Sequence, residues 1–177
     1  GVVLDACGRG MYAMSQCSKF LSYLSCGQVK QGDVMYFQDF WHPGIESIFY
    51  ALDLYGIKVE IYSMLHAQSV DEYDFTYQMR DWMRPMELGI DRKMTGIFVG
   101  STIHKDQLKA AGFQSKIHVV SLPFGKQHTL DMVPVLPEKK NQVIFASRLD
   151  KEKNPYFLLE VIKQFLDIHE NWEWVIT

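Results

Sequence analysis

At 177 residues, with 47% hydrophobic side chains, the chain can bury the core of one full domain and part of another. Its formal charge of −3 and pI near 6.1 give no basic field over the whole chain, which argues against nonspecific nucleic-acid binding and leaves room only for a local basic groove. No apolar run approaches the ~20 residues that span a bilayer, and Gly1-Val2-Val3-Leu4-Asp5 lacks the basic segment of a signal peptide, so a cytoplasmic protein without a transmembrane segment is expected. Cys7, Cys17 and Cys26 are odd in number and lack C-x-x-C spacing, which favours reduced thiols over a zinc site.

In chain order, Val2 to Ala6 is read as a strand, Gly8 and Gly10 as a turn, and Met11 to Leu24 as a helix. Asp33 to Gln38 is the next strand. It runs into a loop at Asp39 to His42 and a helix with Pro43 near its start, whose face is Ile45, Ile48, Phe49 and Leu52 and whose C-terminal cap is Gly56. Lys58 to Leu65, rich in β-branched residues, is a strand; a polar loop leads to a helix over Phe75 to Leu88, with a break expected near Pro85. Gly96 to Val99 is a strand, Ser101 an N-cap, Thr102 to Ala111 a helix closed by Gly112, and Lys116 to Leu122 a fifth strand. This alternation predicts an α/β fold with a doubly wound parallel sheet and ligands at the carboxyl ends of its strands.

From Lys126 the rhythm breaks, and Pro134 and Pro137 fall in a segment without period. The division expected is an N-terminal α/β domain over residues 1–130, a linker over 131–141, and from 142 to 177 the beginning of a second Rossmann-like domain, with one strand-helix-strand unit. That unit opens on the strand Gln142 to Ala146, followed by Ser147-Arg148-Leu149-Asp150-Lys151-Glu152-Lys153-Asn154-Pro155. Asn154 suits an N-cap and Pro155 the first helical position, and Phe157, Leu158, Val161, Ile162, Phe165 and Leu166 form one apolar face. Unpaired N–H groups at such a helix start favour an anion; Arg148 can fork onto phosphate oxygens and Lys153 adds a point charge. The alternative is a strand-to-helix loop with solvated charges, since Asp150 and Glu152 interleave.

The pattern of strand, Ser147-Arg148-Leu149, Glu152-Lys153-Asn154-Pro155 and apolar helix resembles the start of the donor domain in family-four-like glycosyltransferases of the GT-B fold. The resemblance implies two Rossmann-like domains and transfer of a sugar from a nucleotide-diphosphate sugar to an acceptor, glycan, lipid, small molecule or nucleic acid, with retained configuration. Arg148 and Lys153 would neutralise the donor diphosphate. His66, which closes the strand from Lys58, corresponds to a family His near the donor sugar and is the candidate catalytic residue; as a neutral imidazole it would hydrogen-bond sugar hydroxyls, and a loop or core histidine is the alternative. Leu122-Pro123-Phe124-Gly125 resembles the family's Pro-x-Gly turn. No cofactor beyond the nucleotide-sugar substrate is implied. The family's later Glu-rich motif is not reached by Thr177, so the remainder of a donor domain is expected to be missing and this stretch alone inactive or nearly so.

Asp39, Trp41 and His42 are candidate acceptor-binding residues, because carboxylate, indole and imidazole together suit a sugar's mixed surface, and Ser101 is a further candidate because Gly100-Ser101-Thr102 resembles the family position where small hydroxyl residues approach the acceptor or phosphates. In the alternative readings Trp41 packs over the sheet edge, Asp39 caps the next helix and Ser101 is an N-cap only. His104 and Lys105 read as a solvated face. Gly8-x-Gly10 with Ala13 is a weak dinucleotide fingerprint, and Asp71 and Asp74 lack D-x-D spacing, so no catalytic metal is expected. Two other functions fit less well: a phage-type nucleic-acid glycosyltransferase acting on a modified base, with Lys105, Lys109 and Lys116 meeting phosphate, and a non-catalytic nucleotide-binding or scaffold domain.

Overall fold

The structure is a computed structural model that describes residues 6–120, 131, 138–147, 149 and 153–177. The chain divides into two compact units, Gly1–Pro123 and Phe124–Thr177. Unit 1 runs α1 (Ala6–Ser25), β1 (Val34–Phe37), α2 (Ile45–Tyr55), β2 (Glu60–Met64), two 3-10 turns (Gln68–Val70 and Phe75–Met79), α3 (Arg80–Asp91), β3 (Gly96–Val99), α4 (Thr102–Ala110) and β4 (Lys116–Val119). Its sheet has, among the described residues, four strands in the order β1-β2-β3-β4, all parallel.

Register decides which side chains share a face. Phe37, Ser63, Ile97 and Ile117 lie abreast across the four strands, and together with Ile61 and Val99 they carry the buried face. Onto it pack Cys17 and Leu24 of α1, Ile45, Ile48, Phe49 and Leu52 of α2, Ile90 of α3 and Leu108 of α4, in one core. Parallel strands in consecutive order joined by right-handed crossovers put their helices on one side of the sheet. The other face presents Tyr36, which is exposed, and Tyr62, Phe98 and His118, which are half-buried; Phe98 stacks on Tyr62 and meets Tyr36 and His118 with tilted rings. Gly96 sits beneath this row: a Cβ there would meet the Tyr62 ring at 3.2 Å and His118 Nε2 at 3.3 Å, so only glycine lets the two rings converge.

The strands follow the apolar pattern of the sequence: Gly96–Val99 has the bounds expected, while β1 and β2 are shorter by a residue or more at their ends. The helices differ more. Ala6 opens α1, so Gly8 and Gly10 are helical and form no turn; the remainder of the strand expected over Val2 to Ala6 lies outside the described residues. A 20-residue helix absorbs two glycines at a cost of about 1 kcal/mol each, offset here by burial of Ala13, Cys17 and Leu24. The single helix read over Phe75 to Leu88 is a 3-10 turn followed by α3, and α3 continues through Pro85. Pro85 lies on the exposed side, where water can solvate the Asp81 carbonyl that it leaves unpaired. Gly56 closes α2 in the left-handed conformation, φ 65°, as its place after the apolar face requires.

Unit 2 is smaller. β5 (Gln142–Phe145) and β6 (Glu173–Ile176) pair in parallel, joined through α5 (Pro155–Ile168). Asn154 caps α5, its side chain accepting from the Phe157 N–H at 3.4 Å, and Pro155 takes the first helical position. Phe165 is the hub of its small apolar cluster, with Trp172 and Trp174 set edge-on at 5.6 and 5.7 Å. Among the described residues no helix is long and apolar enough to cross a membrane.

Candidate functional site

Parallel strands deliver the residues that follow them to one rim of the sheet, and in unit 1 this rim holds two cavities. The first, about 310 Å³, lies beyond β2 and β3 and is lined by His66, Ala67 and Asp71 from one strand end and by Ser101, His104 and Gln107 from the other. Leu65 and Ile103 supply apolar wall. The second, about 610 Å³, lies beside β1 and α1, with Gln38, Asp39 and His42 on one side and Tyr12, Gln16 and Cys17 on the other.

The sequence-predicted residues therefore separate. His66, exposed, and Ser101 share the first cavity; Asp39 and His42 line the second; Trp41 lines neither. His42 turns toward α1, where its Nε2 lies 3.0 Å from Gln16 Oε1 and its ring meets Phe37 edge-on. Asp39 is engaged within the protein: its Oδ1 accepts from the Trp41 N–H at 3.3 Å and from Gln68 Nε2 at 2.8 Å. Ser101 is a true N-cap, its Oγ accepting from the His104 N–H at 3.1 Å. In unit 2 Lys153 is exposed just before α5, while Arg148 lies outside the described residues.

The loop after β2 is held tightly. Gln68 is a non-glycine residue at φ 67°, a conformation that costs of order 1–3 kcal/mol and survives only where surrounding contacts fix it. Here they do. Its side chain crosses to Asp39, while the next residue, Ser69, is fully buried: its N–H and Oγ both donate to the Glu87 carboxylate, and Arg84 donates to its Oγ and its carbonyl at 2.9 and 2.7 Å. Burial pushes the Glu87 carboxyl above its ordinary range, against the opposing pull of the Ser69 bonds and the Arg84 charge. Asp91, also buried, accepts from the N–H groups of Gln114 and Ser115 and so fixes the entry to β4.

His104 is the residue that sequence reading missed. Far from being solvated, its ring is half-buried and forms part of the first cavity, and its Nε2 is buried without a hydrogen-bond partner among the described residues. Burial lowers its pKa, partly offset by the Ala67 backbone and the Asp71 charge, while His66 adds to the lowering; the imidazole is neutral near pH 7. The available signal was its position three residues after the cap, where a helical side chain leans back over the first turn and so toward the strand ends. No group of three or more His, Cys, Asp or Glu among the described residues could hold a metal ion. Compared with known proteins, the chain matches no family model and no curated protein.

Proposed function

We propose that this chain is part of a GT-B-type glycosyltransferase that moves a sugar from a nucleotide-diphosphate sugar to an acceptor. The observation that carries this reading is the cavity at the carboxyl ends of β2 and β3, lined by His66 and Ser101, where open parallel sheets take their ligands. In unit 2, a parallel strand-helix-strand unit with Lys153 immediately before a capped helix supports the donor side of the reading.

In this reaction Arg148 and Lys153 neutralise the charge that develops on the departing diphosphate, which stabilises the transition state more than the bound donor. His66 hydrogen-bonds hydroxyls of the transferred sugar, and transfer proceeds with retention and without a dedicated carboxylate base. The test is calorimetry with UDP, GDP and ADP. Arg148→Ala and Lys153→Ala are each expected to weaken binding of the preferred nucleotide by about 1–3 kcal/mol, and unchanged affinity in both variants would remove the diphosphate assignment. Release of that nucleotide from its sugar conjugates then separates a transferase from a nucleotide-binding scaffold.

A further inference from the structure

We propose that the cavity beyond β2 and β3 is a site for one uncharged, hydroxyl-rich ring, a neutral sugar, and that it discriminates against acidic sugars. Its place in sugar transfer rests on the function proposed above; binding itself does not.

The chemistry of the lining sets the ligand class. Among the described residues that line the cavity there is no Lys or Arg, and the one carboxylate is Asp71. The oxygen Oδ1 of Asp71 accepts from the Tyr73 N–H at 3.0 Å, which anchors the carboxylate at the wall. A phosphate or a uronate entering here would meet a like charge with no cation to offset it. The start of α4 supplies only a partial positive charge, and Ser101 Oγ already occupies the His104 N–H there. Burial that keeps His104 neutral removes the remaining source of a full positive charge on that wall.

What the lining does offer is a mixture of single hydrogen-bond partners. Asp71 accepts, and the Ser101 hydroxyl and the Gln107 amide both donate and accept. Hydroxyls on a ring fit that mixture, whereas its C–H surface fits the side chains of Ala67 and Ile103. A nucleobase fits less well, because the described residues of the lining include no Phe, Tyr or Trp on which to stack. A volume of about 310 Å³ lies at the small end for ligand sites, which favours one ring over an oligosaccharide.

The experiment is an amide and methyl NMR titration of the protein at pH 7.5 with methyl glycosides of glucose, galactose and mannose, each beside its uronic acid and 6-phosphate. Expected are shifts at Ala67, Ile103 and His104 with at least one neutral glycoside, and affinity about tenfold or more weaker for the matching acids. Asp71→Asn, which retains the oxygen that receives the Tyr73 N–H, should narrow that gap at least severalfold. Gln107→Ala, which removes one hydrogen-bonding side chain from the exposed wall, should weaken the neutral glycoside severalfold. Acids binding as well as neutral sugars, shifts confined to another surface, or no neutral glycoside bound at high millimolar concentration would each overturn the proposal. Neutral-sugar binding with unchanged nucleotide affinity in both Arg148→Ala and Lys153→Ala would instead count against the transferase reading and leave this site standing.

Discussion

At the scale of single residues, His66 and Glu87 sit within one short stretch of fold and have opposite work. His66 is exposed at the cavity, and in the proposed reaction it touches the moving sugar and not the diphosphate. His66→Ala should therefore lower kcat by about tenfold to a hundredfold, the loss of one or two hydrogen bonds made in the transition state, while nucleotide affinity stays near wild type. Steady-state kinetics beside calorimetry separates the two, and wild-type turnover would return His66 to a loop role. Glu87 is fully buried beneath the loop that carries His66, and its folded pKa is raised above the ordinary 4.5 chiefly by desolvation. The native state then holds more protons than the unfolded chain between 4.5 and the folded value, so stability falls as pH rises through that window. Glu87→Gln does not titrate. Relative to wild type it should gain stability as pH rises above 4.5, read from urea midpoints across a pH series.

At the scale of elements, α4 joins local and non-local causes. Its start was legible because a Ser in extended conformation before a short amphipathic run is a capping signal, and Ser101 does cap it. Ser101→Ala should cost about 1 kcal/mol, measurable as a lower urea midpoint, and should also displace His104, whose N–H the hydroxyl receives. The folded pKa of His104 lies below the ordinary 6.5, so the native state binds fewer protons and stability falls as pH drops from 6.5 through the folded value. An imidazole titration by NMR should find His104 the histidine that resists protonation, and a His104 resonance titrating at or above 6.5 would contradict the buried setting. By contrast, the Phe75 to Leu88 segment divides into a 3-10 turn, capped by Asp74 whose side chain accepts from the Thr76 N–H, and α3 from Arg80, a division that the apolar period of the segment did not mark.

At the scale of the whole chain, the sheet of unit 1 is one-sided among the described residues, with its helices gathered on the Ile97 face. Neighbouring residues on β3 should therefore differ sharply in their weight. Ile97 is fully buried between strands that carry Ser63 and Ile117, so Ile97→Ala should cost about 2–4 kcal/mol. Phe98 points the other way, into the partly exposed row with Tyr36, Tyr62 and His118. Despite its larger side chain, Phe98→Ala should destabilise less than Ile97→Ala, and the reverse order in urea unfolding would mean that the aromatic face is covered as deeply as the helical one.

The sequence by itself determined what depends on neighbours along the chain. Apolar runs such as Val34 to Phe37 and Gly96 to Val99 became strands, and Ser101, Gly56 and Asn154 became caps, because propensity, period and capping act within a few residues. Strand ends further placed His66 and Ser101 on one rim, since parallel strands deliver their following residues together. Only the tertiary structure decided which polar groups were already committed. Asp39 looked available for a ligand until Gln68 reached it from 29 positions away, and His42 until it met Gln16 of α1. Conversely, His104 looked solvated until Ala67 and Asp71 closed around it. Burial and hydrogen-bond partnership are properties of residues distant in sequence, and no local pattern encodes them.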